Sequence, residues 1–481
     1  MNRFDISLSR RRLLELMTIV ALGAGCKSSF SDAIKPDDTA TPDAALPNAA
    51  RPDSVVGACA FAVDLARVVA RVSPQHIGVC CTTYGRNALT SPEQAEAEAS
   101  LDFRYVRLPV GVRAGRVTSS AAGGPTDLDM RGLVDWYRAR DARVIAVLGG
   151  RTDDVDIAPG DAARMVRELG PEGIEYSGVN EPNNKGLNVE QSIALSQQIA
   201  REIAGVQDDL KLWGPVWAWC EHPALLRFAE ALGDHFAGLS YHSYGMGVDS
   251  LTTARAMSET PRWGRDVQEL RAGLRALQLP DNVSVTELNF SWRYEDGTPP
   301  DGKNRRFFSA INTVWTASVL GHILRAGGKA AVYGNQNGPL GVWTEKNHPI
   351  NQQQEVLRDL PPSSPMPAYW GIAAWTGAHR FPHFKERVFD VQRVAAPDEA
   401  ELFAVDNEAG GTNLVMINKS ETQSQRFAVA LKGAQFARHH LWRTDSNRPF
   451  AAPRQLASDA PLSAAPSWEL PPMCVAIAVL K

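Results

Sequence analysis

From residue 76 to about residue 382 the chain alternates two hydrophobic rhythms. Short apolar runs rich in β-branched residues predict strands at 76–80, 105–110, 143–148, 174–179, 212–216, 238–241, 283–286 and 329–333. Between and after them, apolar residues recur at helical spacing over 92–101, 128–142, 161–169, 189–206, 224–232, 267–277, 305–325 and 368–376. Strands that alternate with helices form parallel sheets, and eight such units close a (β/α)8 TIM barrel, an α/β fold, placed here over 76–382. Beyond it the helical period stops. Runs at 402–405, 413–417, 426–431, 440–443 and 474–480, separated by Gly, Asn, Asp and Pro, predict a small antiparallel β-sandwich over 383–481. Ahead of the barrel, 58–65 and 68–72 read as short strands, with an amphipathic helix over 63–72 as the competing reading.

The first 26 residues are targeting rather than fold. Ser9-Arg10-Arg11-Arg12-Leu13-Leu14 resembles a twin-arginine export signal, and the apolar stretch 13–25 is too short to span a bilayer. Ala24-Gly25-Cys26 resembles the end of a lipoprotein cleavage box, although Gly23 stands where such boxes usually carry Leu. Lipidation of Cys26 and ordinary cleavage nearby both remain open. Residues 27–55, rich in Ala, Asp and Pro, form a flexible linker. The expected location is outside the cytoplasm: periplasmic, secreted or envelope-anchored.

A net charge of −4 spread over 481 residues without blocks of one sign gives no reason to expect nucleic acid as a partner. Six cysteines, at 26, 59, 80, 81, 220 and 474, show no CxxC or Cys/His spacing of a metal site, and most are expected as buried thiols. Neither a metal nor an organic cofactor is expected.

Chemistry concentrates at two glutamates, each closing an apolar run. Glu181 lies in Gly178-Val179-Asn180-Glu181-Pro182-Asn183 and Glu287 in Val285-Thr286-Glu287-Leu288-Asn289. At roughly 30 to 35 residues per unit their separation is three units, which puts them on strands four and seven of a barrel, facing one mouth. Two carboxylates across a cleft are the minimum equipment for cutting a glycosidic bond. These segments resemble clan A of the glycoside hydrolases, and families 39 and 79 in particular. Asn180-Glu181-Pro182 is similar to the clan's acid/base segment, Thr286-Glu287 to its nucleophile segment, His242-Ser243-Tyr244 to its strand-six His-x-Tyr, and Tyr105-Val106-Arg107 to its strand-two arginine segment.

The resemblance implies a retaining hydrolase acting on a polysaccharide or glycoside by double displacement, with Glu181 as acid/base, Glu287 as nucleophile, and Arg107 and Tyr244 donating hydrogen bonds to Glu287. It further implies that strands within 56–75 join the C-terminal sandwich. Asn180 is expected at the sugar's 2-hydroxyl and His242 in the donor subsite. Burial beside a second carboxylate is expected to raise the pKa of Glu181. Trp217, Trp292 and Tyr333, at strand ends, are candidates for stacking on sugar rings, as are Trp219 and Trp343. A transglycosylase using the same residues, and a noncatalytic carbohydrate-binding barrel, are the alternatives.

Overall fold

The computed structural model describes residues 57–80, 87–121, 127–149, 157–246, 252–292, 305–334, 340–344, 357 and 359–481. The export signal, the linker, Cys26 and Cys81 lie outside the described residues. Eight parallel strands close on themselves in the order β2 (Ile77–Cys80), β3 (Tyr105–Arg113), β5 (Arg143–Gly149), β6 (Ile174–Ser177), β7 (Leu212–Trp217), β8 (Phe236–Met246), β9 (Val283–Ser291) and β10 (Lys329–Tyr333). The short strand β4 (Arg116–Ser119) adds antiparallel to β3. The eight apolar runs of the sequence are thus the eight barrel strands.

Alternation along each strand sorts two interiors. On β3, Val106, Leu108 and Val110 turn outward into the main core under the helices, while Tyr105 packs inside the barrel with Ile145 of β5 and Trp213 of β7. At the floor of the barrel Glu175 pairs with Lys329 and accepts from the Tyr105 hydroxyl at 3.4 Å, so the inward polar groups there satisfy one another.

The helices follow capping chemistry. Helix α1 (Pro92–Leu101) starts with Ser91 accepting from the Gln94 amide and with Pro92 at its first turn. Helices α2 (Met130–Arg138), α3 (Asp161–Leu169), α4 (Val189–Ala204) and α5 (His222–Leu232) follow in turn. Residues 253–266, ahead of the predicted helix over 267–277, carry helix α6 (Thr253–Ser258) and the first turns of α7 (Pro261–Ala276), where Pro261 sets the start and Trp263 and Gly264 are buried. Helices α8 (Ala310–Arg325) and α9 (Pro367–Thr376) are apolar on nearly every face and buried on nearly every face. A second layer must therefore cover them.

That layer is a curled sheet of nine strands: β1 (Gly57–Arg71), β11 (Phe384–Ala395), β12 (Ala400–Asn407), β13 (Thr412–Asn418), β14 (Gln425–Lys432), β15 (Arg438–Arg443), β16 (Arg454–Pro461), β17 (Ser467–Leu470) and β18 (Cys474–Leu480). Its order is β16-β15-β18-β13-β12-β11-β1-β14-β17. The segment 58–72 is one irregular strand rather than two runs or a helix, antiparallel to β11 but parallel to β14, so the sheet is not purely antiparallel. Both faces of its central strands are buried. Leu402, Ala404, Leu414, Met416, Ala476 and Ala478 fill the sheet's own sandwich-like interior, while Phe403, Val405, Val415, Ile417, Val475 and Ile477 join the barrel core. The Phe403 ring packs 5.6 Å from that of Trp375 on α9 and 5.1 Å from that of His322 on α8. Among the described residues no helix is long and apolar enough to cross a membrane.

A buried ionic cluster ties the two layers. Glu401 of β12 accepts from Lys419 at 2.6 Å, from the Ser318 hydroxyl at 2.5 Å, and lies 2.9 Å from His322 Nε2. Burial opposes the Glu401 charge, but Lys419 and His322 outweigh it and hold the carboxyl well below the usual range. A carboxyl depressed on folding stabilises above its unfolded value of about 4.3, and that contribution drains away as the pH falls below it. Lys419→Met should therefore cost about 3–5 kcal/mol in urea unfolding at neutral pH, since it strands a buried carboxylate. The gap from wild type should narrow as the medium is acidified below that value; a gap unchanged with pH would exclude the ionic cause.

Candidate active site

The barrel mouth gathers the polar residues of β3, β6, β8 and β9. Glu181 follows β6 in a left-handed conformation, φ 46°, its amide donating 2.9 Å to the carbonyl of Val216, itself at φ 59°. Two non-glycine residues in this sparsely populated region, bonded to each other, mark a backbone held by its surroundings.

Glu287 reaches the mouth through a β-bulge. On the β8 side Tyr241 pairs with Val285 but His242 with Glu287, and on the β10 side Ala330 pairs with Val285 but Val332 with Leu288. Both neighbours thus see one extra residue in β9. Val285 and Leu288, three apart, both face the outer core, and Glu287 turns inward beside His242. A second bulge lies in β7, where Pro215 pairs with Ser240 but Trp217 with Tyr241. The extra residue is Val216. It turns Trp217 outward into the packed core, where the ring is 1% exposed. Trp217 is accordingly a core side chain and not a stacking surface, and Trp343 is likewise fully buried. Trp292, 50% exposed just after β9, and Trp219, 49% exposed after β7, do present surface. Tyr333 stands half-buried at the end of β10, edge-on to Tyr244 at 6.2 Å.

Each oxygen of Glu287 has a donor. Arg107 Nη1 lies 2.7 Å from Oε1 and the Tyr244 hydroxyl donates to Oε2 at 2.7 Å. Burial, helped by the Glu287 charge, pushes the Tyr244 phenol far up, so it stays a donor. Burial works against the Arg107 charge, yet Cys80 and Glu287 more than offset it and Arg107 remains a cation. The same guanidinium donates to Cys80 Sγ at 3.0 Å and to Asn180 Oδ1.

His242 lies at the centre of the site, in contact with both acids. Fully buried on β8, its Nδ1 sits between the glutamates, 2.8 Å from Glu181 Oε1 and 3.3 Å from Glu287 Oε2. Donor atoms of Glu181, His242 and Glu287 all fall within 4.8 Å of one another. A cation held by these three would sit against the Arg107 guanidinium, which already supplies the positive charge there.

The expected upward shift at Glu181 does not occur. Burial pushes its carboxyl up, but the hydrogen bond and charge of His242, a 3.1 Å hydrogen bond from Asn184, and Arg107 together win and hold it at about 2. Cys80, Asn184 and Asn289 were not singled out in the sequence. Asn289 donates 2.8 Å to the Leu340 carbonyl and so fastens the segment after β10. Its position two residues past Glu287, and that of Asn184 three past Glu181, are the only signals the sequence offers.

A closed barrel of eight parallel strands with a curled sheet packed on its last helices is a fold this chain shares with solved glycoside hydrolases of families 44, 51 and 39. Among solved structures the chain is similar to a Paenibacillus polymyxa xyloglucanase of glycoside hydrolase family 44, at 11% identity over 89% of this chain and 100% of that one, TM-score 0.65. It is also similar to a family 51 arabinofuranosidase from Xanthomonas axonopodis pv. citri, at 12% identity over 88% and 100%, TM-score 0.65. A family 39 enzyme from the same organism aligns at 17% identity over 89% and 98%, TM-score 0.58. No protein-family model and no curated protein sequence matches this chain.

The geometry yields a prediction about His242. Replacing it with Leu removes the bond and charge that depress Glu181 and leaves burial as the dominant influence. Carboxyl-band infrared difference titration against Glu181→Gln should then find the Glu181 pKa moved up from about 2. A carboxyl still titrating near 2 would show that His242 does not hold it down.

Proposed function

We propose that the protein is a retaining glycoside hydrolase in which Glu287 attacks the anomeric carbon and Glu181 serves as acid and then base. The observation that carries this reading is the convergence of the two carboxylates on one buried nitrogen, His242 Nδ1, 2.8 Å from Glu181 Oε1 and 3.3 Å from Glu287 Oε2, which sets them face to face across the mouth as a pair of acids that cleaves a glycosidic bond must stand. Arg107 and Tyr244 aim Glu287, with both oxygens held and the ring flanked by Tyr333. Asn180, its Oδ1 engaged by Arg107, is left with its amide NH2 to offer the sugar's 2-hydroxyl, where a hydrogen bond strengthens toward the oxocarbenium ion.

Proton supply follows from the His242 contact. One proton serves the 2.8 Å contact between His242 Nδ1 and Glu181 Oε1, and in the first step it passes through Glu181 to the leaving oxygen. The bond from the anomeric carbon to that oxygen breaks as the ester to Glu287 forms. In the second step Glu181 takes a proton from water, whose oxygen displaces Glu287, and the contact is refilled. Trp292 and Trp219 offer exposed rings on which sugars beyond the cleavage point can stack. The signal-like N-terminus adds that the substrate is a polysaccharide or glycoside met outside the cytoplasm, and the chemistry calls for no metal or organic cofactor.

The test is turnover of a panel of aryl β-glycosides, xyloglucan, xylan, arabinan and acidic polysaccharides by wild type, Glu181→Ala and Glu287→Ala. Each variant should lose about 10⁴-fold in kcat or more on the substrate that wild type cuts. Azide should rescue Glu287→Ala and give a glycosyl azide of inverted configuration. Saturable binding of a glycan with no cleavage by wild type would instead make the barrel a carbohydrate-binding module.

A further inference from the structure

On the rim of the same barrel face, away from the two glutamates, a second set of side chains converges. Cys220 and His222 flank the start of α5 in the segment that leaves β7, and Asp266 projects from the second turn of α7. The Cys220 sulfur, a His222 ring nitrogen and an Asp266 carboxylate oxygen all lie within 4.8 Å of one another. His222 Nε2 is 3.4 Å from Asp266 Oδ1, and His222 Nδ1 is 3.0 Å from Glu269 Oε2, one turn further along α7. The Tyr241 hydroxyl, fully buried on β8 and without a conventional hydrogen-bond partner, faces the Cys220 sulfur.

We propose that Cys220, His222 and Asp266 bind one divalent cation of the zinc class, which staples the segment after β7 to helix α7. Three features of the geometry argue for this. First, ligands at about 2.0–2.3 Å from a tetrahedral centre stand about 3.3 Å apart for a nitrogen and oxygen pair and about 3.6 Å apart for pairs with sulfur. The 3.4 Å edge between His222 and Asp266 already has that length. The sulfur, within 4.8 Å of a His222 ring nitrogen and of an Asp266 carboxylate oxygen, needs to close on those two atoms by at most about 1.2 Å. Second, the other ring nitrogen of His222 meets a carboxylate, the outer partner that fixes the tautomer and orientation of a metal-bound imidazole. Third, Tyr241 offers a buried O–H to a sulfur that becomes a strong acceptor once it is a metal-bound thiolate.

A sulfur, nitrogen and oxygen donor set suits zinc rather than calcium or magnesium, and three protein ligands leave a fourth position for water. Without a cation the same atoms form an imidazole ring between two carboxylates, beside a thiol that the Tyr241 hydroxyl faces. The spacing Cys220-Glu221-His222 passes unnoticed in the sequence because its third donor comes from another helix. The site does not depend on the glycosidase reading. A cation there would hold in place the segment that carries the exposed Trp219.

The experiment is cobalt titration of the tag-free full chain after chelator treatment and dialysis. Wild type should bind one cobalt with a thiolate-to-metal charge-transfer band in the near ultraviolet, and one equivalent of zinc should abolish that band. Cys220→Ala and Asp266→Asn, each checked for folding by near-ultraviolet circular dichroism, should lose the band and at least 100-fold in affinity. Glu269→Gln should keep the band and weaken binding about 10- to 100-fold. Cobalt bound between Glu181, His242 and Glu287 would give no sulfur band, so the two locations are separated. Absence of the band in folded wild type, or its survival in Cys220→Ala, overturns the proposal.

Discussion

Two carboxyl groups brought within 4.8 Å in a largely buried mouth repel each other, and the architecture around them is an answer to that repulsion. In water the cost would be small, but burial reduces screening and raises it severalfold. A fixed cation, Arg107, sits on one side of Glu287, a neutral donor, Tyr244, on the other, and His242 stands between the two acids. The three donors come from β3 and β8, so the closure of the barrel itself supplies the compensation. An open sheet of the same strands would not bring β3 round to β9.

Barrel strands and helices were legible because apolar runs of period two and 3.6 are what burial on a closed sheet selects, and the observed elements begin and end within a few residues of those runs. The two glutamates were legible for the same reason, each closing a run. What escaped the sequence is traceable to register. A bulge at Val216 sends Trp217 from the expected mouth into the core, and the extra residue in β9 brings Glu287 into line with His242. Neither insertion leaves a mark in composition or periodicity. The direction in which Glu181 titrates was misjudged because burial was weighed without the histidine that only three-dimensional pairing reveals. Helix α7 begins at Pro261, six residues before the predicted 267, and its first turns bury Trp263 and Gly264.

The sheet earns its place through its two faces. A helix that is apolar all round, as α8 and α9 are, is unstable on the outside of a barrel unless something covers it. The alternate residues of β12, β13 and β18 do so with Phe403, Val405, Val415 and Ile477, and the ionic cluster at Glu401 fixes where the cover sits. Barrel and sheet therefore share one core rather than touching as neighbours.

The place of β1 in that sheet bears on how the chain is made. Its two neighbours, β11 and β14, leave the ribosome more than three hundred residues after it does. Throughout that interval β1 is a lone strand with both hydrogen-bonding edges open, and such edges invite pairing with other chains. The barrel, built meanwhile from local β-α units, has to be nearly finished before that strand can be enclosed. Order of synthesis thus leaves the first strand of the sheet without either neighbour until the barrel has been made, and any chain cut short inside the barrel carries an unprotected edge.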